Sequence, residues 1–230
     1  MCCEALGLSK EKDENDYSIK TLIGDTIKVI EYIVKKFPGK SVAIIGHSMG
    51  GAVAAKTVKE IFDKPTEHAL AKAVVRALSV IDVAEGSAMK ALKSMDEIIA
   101  SKPKAFHSEE EAIIWTIKSG AVRTPESARI SMPVTLIKDK GVYKWRTDLT
   151  KTREYWEGWF KGLSEDFMSA KVPKQLIIAE PDRMDTALTI GQMQGRFKLD
   201  VVTRVGHSIQ EDDPKTLSKL IIAFLAAFKI

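Results

Sequence analysis

The sequence predicts an α/β fold organised around a mostly parallel β-sheet. Three features predict it: short continuous apolar runs typical of strands buried on both faces, helical patterns between these runs, and one long helix-rich segment that interrupts the alternation. The chain has 230 residues, of which 45% are hydrophobic, so it can bury a full core. The same composition excludes an intrinsically disordered or collagen-like protein.

The first part of the chain predicts a helix, a strand and a second helix. Apolar residues recur at steps of three and four over residues 18–37, which places them on one helix face. Phe37-Pro38-Gly39 ends this helix, because proline lacks an N–H and disfavours a helical residue before it. The apolar run 42–45 predicts a buried strand, and residues 52–62 predict the helix that follows a glycine-rich turn.

Three more strands and a last helix complete the predicted core domain. The strands are expected at residues 77–83, 175–179 and 199–205. The last helix begins at Pro214, since proline is well placed at the first helical position. Because strands alternate with helices, the sheet is expected to be parallel. We assign residues 1–83 and 174–230 to this core domain.

The segment between the second and third strands, residues 84–173, is too long for a single crossover connection. Its patterns predict helices at residues 88–101, 109–119, 125–131 and 151–168. We therefore expect a helical cap inserted into the core domain. The cap contains all four tryptophans, and two interpretations stay open: they pack its core, or Trp156 and Trp159 line a groove for a substrate or partner.

Charge and cysteine content narrow the cellular setting. The net charge is +4, with both signs mixed along the chain, which does not favour nucleic-acid binding. The longest apolar run, residues 220–228, is far shorter than the roughly 20 residues of a membrane span. The only cysteines are the adjacent Cys2 and Cys3, which fits a reducing compartment. We expect a cytoplasmic protein, with the nucleus as a further location.

The turn Gly46-His47-Ser48-Met49-Gly50 matches the pattern G-x-S-x-G between a strand and a helix. In this context the pattern predicts a nucleophile elbow, with the Ser48 hydroxyl at the top of the sheet. Gly46 and Gly50 are expected to remove Cβ atoms that would clash within the turn. The N–H of Met49 is expected at a helix N-terminus, where it stabilises an oxyanion.

A serine hydroxyl needs a general base, and four histidines are available. His207 follows the last strand directly, at the sheet edge where sites of such folds form, so we assign it as the base. His47 lies inside the elbow and is expected on the wrong side of the serine, whereas His68 precedes the second strand and His107 lies in the cap. An early serine and a late histidine follow the chain order of α/β-hydrolases.

The acid that orients the histidine has two main candidates. Asp82 ends the second strand and Asp182 follows the third, so both reach the same edge of the sheet. Glu85 and Asp185 are further candidates. Spacing alone leaves this choice open.

Six segments carry a resemblance to a known family: residues 44–52, 81–89, 127–131, 155–163, 188–195 and the pair Gly206-His207. They resemble the protein phosphatase methylesterases. The elbow is shared by many hydrolases, but the tryptophan-rich segment 155–163 and the run Gly-Gln-Met-Gln-Gly at 191–195 are more particular. The similarity extends from about Ser41 to the C-terminus.

The resemblance implies a specific reaction. This family removes the methyl ester from the C-terminal leucine carboxylate of the catalytic subunit of protein phosphatase 2A, without a metal or organic cofactor. Asp82 matches the family's acid, and Asp182 remains the second choice. The cap and residues 191–195 are expected to hold the phosphatase, with Met193 and Gln194 as exposed contacts.

The sequence also departs from the family pattern. Only 47 residues precede Ser48, and we expect no counterpart there of the early strands of an α/β-hydrolase. No His-Gly or Gly-Gly pair before Gly46 could supply a second oxyanion donor. We therefore expect an N-terminally shortened form with poor activity. Two alternatives remain: a general carboxylesterase or lipase, and a catalytically impaired hydrolase-like protein that binds phosphatase 2A.

Overall fold

Within residues 16–230 the central sheet has four strands, all parallel. The computed structural model describes residues 16–230, so predictions on residues 1–15, including the cysteine pair and the start of the core domain, lie outside the described residues. The described residues form six strands in two sheets. In chain order they are β1 (Val42–His47), β2 (Val75–Ile81), β3 (Leu136–Asp139), β4 (Val142–Trp145), β5 (Lys174–Ile178) and β6 (Lys198–Val201). The central order is β1-β2-β5-β6, which confirms the predicted α/β fold, while β3 and β4 form an antiparallel hairpin that was not predicted.

Helices cover most of the remaining chain. They are α1 (Ile19–Lys36), α2 (Met49–Asp63), α3 (Ala69–Val74), α4 (Glu85–Leu92), α5 (Met95–Ser101), α6 (Glu109–Lys118), α7 (Pro125–Val134), α8 (Trp156–Phe160), α9 (Leu163–Ser169), α10 (Thr186–Met193), α11 (Ile209–Asp212) and α12 (Pro214–Ala227). Ser18 caps α1 and Asp213 caps α12, each accepting a backbone N–H in the first turn. No helix within residues 16–230 combines the length and apolar character needed to cross a bilayer.

Two predicted cap helices are broken in the structure. The helix expected at residues 88–101 is divided into α4 and α5 by turns at residues 93–94. The helix expected at residues 151–168 becomes a 3-10 segment, Leu149–Tyr155, followed by α8 and α9. Gly162 separates α8 from α9 because its φ of 78° is left-handed and cannot continue a helix.

The ends of the strands bring the candidate residues together. His47 at the end of β1 is paired with Ile81 at the end of β2, so the next residues, Ser48 and Asp82, emerge side by side. The strand expected at residues 199–205 ends earlier, at Val201. Arg204, with a left-handed φ of 67°, lies in the loop that follows.

The predicted cap, residues 84–173, divides between two hydrophobic clusters. Residues from α6, α7 and β3 form a small cluster of their own around Phe106 and Met132. The later part of the insertion, including Trp156 and Phe167, belongs to the main cluster that covers one face of the sheet. The insertion is therefore partly a separate unit and partly a layer of the sheet domain.

Candidate active site

Ser48 occupies a tight turn between β1 and α2. Its φ of 53° and ψ of −124° are uncommon for a residue with a side chain and cost about 1–3 kcal/mol of strain. The Ser48 N–H donates to the Ile81 carbonyl at 2.9 Å, and the Ser48 carbonyl accepts the N–H of Gly51 at 2.8 Å. These bonds hold the turn from both sides and leave the hydroxyl outside the sheet.

Two glycines make this turn possible, and they are Gly46 and Gly51 rather than the expected Gly46 and Gly50. A Cβ on Gly46 would fall on the backbone carbonyl of Gly50, as predicted. At Gly50, however, nothing lies within 4 Å of the position of a Cβ, so its predicted steric role is wrong. Gly51 has that role, since a Cβ there would lie 2.9 Å from a methyl carbon of Val83.

His207 connects the serine to a carboxylate. Its Nε2 lies 2.9 Å from the Ser48 Oγ, and its Nδ1 lies 2.8 Å from Asp82 Oδ2. The loop that carries His207 is anchored by the Gly206 N–H, which donates to Asp212 at 2.6 Å. The structure thus brings three sequence-predicted residues into one hydrogen-bonded chain.

Asp82 is buried and holds a charge. Burial raises the pKa of its carboxyl, but hydrogen bonds from His207 and from the Ala179 N–H, together with the charge of Arg183, outweigh burial and lower that pKa below its ordinary 3.8. The Ala179 N–H lies 2.9 Å from Oδ1. Asp182 lies on an exposed 3-10 turn, so the structure brings Asp82 rather than Asp182 to His207.

Arg183 is a member of this group that the sequence analysis missed. Its guanidinium forms an ion pair and a short hydrogen bond with Asp82 Oδ2, and Nη1 lies 3.5 Å from His207 Nδ1. The sequence did contain a signal for Arg183: it is a basic residue next to the candidate Asp182, in the loop after the third predicted strand. Its charge compensates the buried carboxylate from the side opposite the backbone donor.

A model described as the alpha/beta hydrolase family matches residues 8–220. The chain belongs to the alpha/beta hydrolase family.

Curated relatives of this alpha/beta hydrolase carry the name expected from the sequence motifs. The chain is 44% identical to the probable protein phosphatase methylesterase 1 of Caenorhabditis elegans, over 97% of this chain and 59% of the relative. Identity is 39% to the protein phosphatase methylesterase 1 of Schizosaccharomyces pombe (96% and 62%) and 35% to that of Homo sapiens (95% and 65%). The resemblance is confirmed, and it extends further towards the N-terminus than Ser41. The chain spans about three-fifths of the length of these relatives.

Solved structures of low sequence identity share the hydrolase fold. E-2-(acetamidomethylene)succinate hydrolase superposes with a TM-score of 0.75 at 16% identity, covering 96% of this chain and 78% of that one. An esterase of Mycobacterium tuberculosis gives a TM-score of 0.67 at 20% identity, covering 96% and 74%. These likenesses establish the architecture of this hydrolase.

His47 lies beside His207, in a contact that the sequence did not predict. Its Nε2 is 2.7 Å from the backbone carbonyl oxygen of His207, and the two ring centroids are 4.6 Å apart. Burial and the neighbouring His207 lower the pKa of His47, against weaker opposing contributions from the same hydrogen bond and from Asp82. His207 rather than His47 thus lies at the Ser48 hydroxyl, as expected, whereas the contact of His47 with His207 was not predicted.

Met49 is the first residue of α2, so its backbone N–H has no helical acceptor and lies at the positive end of the helix dipole. This location suits the predicted role as an oxyanion donor. Within residues 16–41 the hydrolase contains α1 but no strand. The described residues before the elbow thus contain no strand–loop unit of the kind that carries a second donor.

The other acidic candidates have structural partners. Glu85 accepts the backbone N–H groups of Gly162 and Ser164 at 2.9 and 3.3 Å. Asp185 caps α10 through the Leu188 N–H and accepts the Ser164 hydroxyl at 2.5 Å. Both carboxylates brace α9 against the sheet edge and do not contact His207.

The four candidate partner contacts separate into two groups. Met193 is 80% exposed and Gln194 is also exposed, so both offer surface at the end of α10. Trp156 and Trp159 are buried, and their indole N–H groups donate to Thr152 and to the Tyr17 carbonyl. This placement corrects the assignment of the two tryptophans to a groove and leaves the core-packing interpretation.

The insertion is tied to the segment after His207. Asp212, whose other oxygen holds the Gly206 N–H, accepts the backbone N–H of Arg123 at 2.8 Å. The hydroxyls of Thr124 and Ser127 donate to the Glu211 carbonyl at 2.8 and 2.7 Å.

No group of three histidine, cysteine or acidic side chains within residues 16–230 is placed to hold a metal ion.

Proposed function

We propose that the chain is a serine hydrolase that removes the methyl ester from the C-terminal leucine of the protein phosphatase 2A catalytic subunit. The observation that carries this proposal is the unbroken series Ser48 Oγ, His207 and Asp82, at 2.9 and 2.8 Å. The names of the curated relatives support the choice of substrate. We place the reaction in the cytoplasm, with the nucleus as a further location.

The first half of the reaction forms an acyl-enzyme. His207 Nε2 accepts the proton of the Ser48 hydroxyl while Oγ attacks the ester carbonyl carbon. Asp82 keeps the Nδ1–H tautomer in place and stabilises the imidazolium without taking its proton. The oxyanion of the tetrahedral intermediate accepts the Met49 N–H. Collapse breaks the bond to the methoxy oxygen, which leaves as methanol with the proton from His207.

The second half releases the phosphatase carboxylate. A water molecule transfers a proton to His207 Nε2 and attacks the acyl carbon, forming a second tetrahedral intermediate. The bond to Ser48 Oγ then breaks, and Oγ recovers the proton from His207. The net change is hydrolysis of one ester to a carboxylic acid and methanol, with the protein unchanged.

Recognition of a protein substrate needs surface outside the triad. Met193 and Gln194 are exposed at the end of α10 and can meet the body of the phosphatase. Gly191, two residues earlier, is packed against Met168, and a Cβ there would fall on the Met168 side chain. This packing fixes the direction of the helix end that carries the two contacts.

The test has two stages. A fluorophosphonate probe should label the wild-type chain and not Ser48→Ala; a folded chain that never labels supports a non-catalytic binding protein instead. Methanol release is then measured from the methylated phosphatase catalytic subunit and compared with hydrolysis of p-nitrophenyl acetate. Turnover of both at similar kcat/KM favours a general carboxylesterase, whereas a strong preference for the phosphatase supports the proposal.

A further inference from the structure

His47 links the elbow to the loop of the general base. Its Nε2 donates to the His207 carbonyl at 2.7 Å, and its Nδ1 lies 3.3 Å from the amide nitrogen of Gln210. The His47 and His207 rings are tilted by 47° with centroids 4.6 Å apart. His47 therefore contacts both the backbone and the ring of the residue that must reach Ser48.

These contacts require a neutral His47 with its proton on Nε2. Burial and the adjacent His207 both lower the pKa of His47, so the neutral form is favoured. A neutral ring that donates from Nε2 must accept at Nδ1, and the amide N–H of Gln210 supplies that proton donor. The His207 carbonyl can only accept a hydrogen bond, so it fixes the proton on Nε2, and the Gln210 contact is compatible with that tautomer.

The loop of His207 is held at a few points: Val205 is buried with Ile177 and Ile209, and the Ser208 carbonyl accepts two backbone N–H groups of α11. β6 ends at Val201, and the last hydrogen bond to the sheet is from the Val202 N–H to the Ile178 carbonyl. The chain between Val202 and His207 is an irregular loop, and the His207 side chain that emerges from it is about half exposed. The two anchors next to it are the Gly206 N–H on Asp212 and the His207 carbonyl on His47.

We propose that His47 is a positioning residue that holds His207 within hydrogen-bond reach of the Ser48 Oγ. The hydrogen bond from Nε2 fixes the backbone of the base, and the His47 ring limits rotation of the base imidazole on one face. The neutral state matters as well, because a charged His47 would repel the imidazolium that forms on His207 during acylation. This inference rests on the proposed role of Ser48 as nucleophile.

Three substitutions separate the hydrogen bond from the ring. His47→Phe keeps an aromatic ring but removes the donor, and we expect kcat for p-nitrophenyl acetate to fall about 10-fold to 100-fold with KM nearly unchanged, because small misplacements of a catalytic group are costly. His47→Gln keeps an amide N–H close to the Nε2 position, and we expect kcat within about threefold of wild type. His47→Ala removes both features and should lose at least as much as His47→Phe.

Matched controls and a second measurement complete the experiment. His107→Phe and His107→Gln make the same changes at an exposed cap histidine and should leave kcat unchanged. Amide hydrogen exchange over residues 203–208 should accelerate in His47→Phe and return towards wild type in His47→Gln.

The outcomes distinguish the two proposals. Equal kcat and equal exchange in wild type and His47→Phe would overturn the positioning role while leaving the hydrolase intact. Failure of wild type to label at Ser48 would overturn the proposed function, and the exchange measurement would then decide by itself whether His47 holds the loop. Loss of kcat in His47→Phe and His47→Gln alike, with unchanged exchange, would also count against the hydrogen bond.

Discussion

Replacing Asp82 by Asn tests the chemistry of the site most directly. The Asp82 side chain is fully buried and accepts three hydrogen bonds, from His207, from the Ala179 N–H and from Arg183. Asn has one acceptor oxygen and one NH₂ group. If its oxygen stays on Ala179, the NH₂ faces His207 Nδ1, so that nitrogen must be unprotonated and accept a hydrogen bond. The imidazole proton then moves to Nε2, which can no longer take the proton of Ser48.

The expected loss of activity follows from this exchange of tautomers. A wrong tautomer at the base lowers kcat by about 10⁴, and each factor of ten corresponds to roughly 1.4 kcal/mol, so about 5 kcal/mol of transition-state stabilisation disappears. The fold should suffer much less. Arg183 loses Asp82 but keeps Glu180, which lies 3.6 Å from its Nε, and its side chain is 27% exposed and can be hydrated, so we expect the free energy of unfolding to fall by only about 1–2 kcal/mol.

The assay compares Asp82→Asn with Asp182→Asn. Hydrolysis of p-nitrophenyl acetate and the rate of fluorophosphonate labelling report the chemistry, and urea unfolding reports stability. Asp182 is exposed and contacts neither His207 nor Ser48, so Asp182→Asn should behave as wild type. Loss of turnover in Asp182→Asn with full activity in Asp82→Asn would refute the reasoning.

Four further predictions follow from other features. Gly46→Ala should lower the unfolding midpoint and abolish labelling, because its Cβ meets the Gly50 carbonyl, whereas Gly50→Ala should keep wild-type stability in the same urea titration. The pKa of Asp82 is lowered, so its contribution to stability is present above pH 3.8 and is lost as the pH falls through the folded-state value; urea midpoints of wild type and Asp82→Asn should therefore converge on acidification. Met193→Asp should raise KM for the methylated phosphatase and leave hydrolysis of p-nitrophenyl acetate unchanged; equal KM values would exclude this contact. With Met49 as the one oxyanion donor within residues 16–230, kcat for p-nitrophenyl acetate should be roughly 10²–10³ lower than that of a serine esterase with two such donors, and equal rates would show that a second donor is present.

The elements with strong local signals could be predicted from the sequence. The helix after Ser18 and the strand before Gly46 were located to within two residues, because an amphipathic period and a buried apolar run are properties of neighbouring residues. The elbow was recognised for the same reason. Its glycines were only half explained, since the close approach of Gly51 to Val83 depends on the neighbouring strand.

Features that depend on distant contacts were missed. Arg183 acts on Asp82, 101 positions away, and His47 acts on the carbonyl of His207, 160 positions away. No local pattern encodes such pairs. The tryptophans show a related difficulty. The indole N–H of the buried Trp159 donates to the carbonyl of Tyr17, a residue far outside the pattern of residues 155–163.

The carboxylate of Asp212 connects the loop of His207 to the inserted segment. One oxygen holds the amide next to the His207 imidazole, and the other holds Arg123, just before α7 in the inserted segment. A displacement of that segment by even a fraction of a hydrogen-bond length must be accommodated at Gly206. The position of Gly206 is thus coupled, through one side chain, to a residue of the insertion more than eighty positions earlier in the chain.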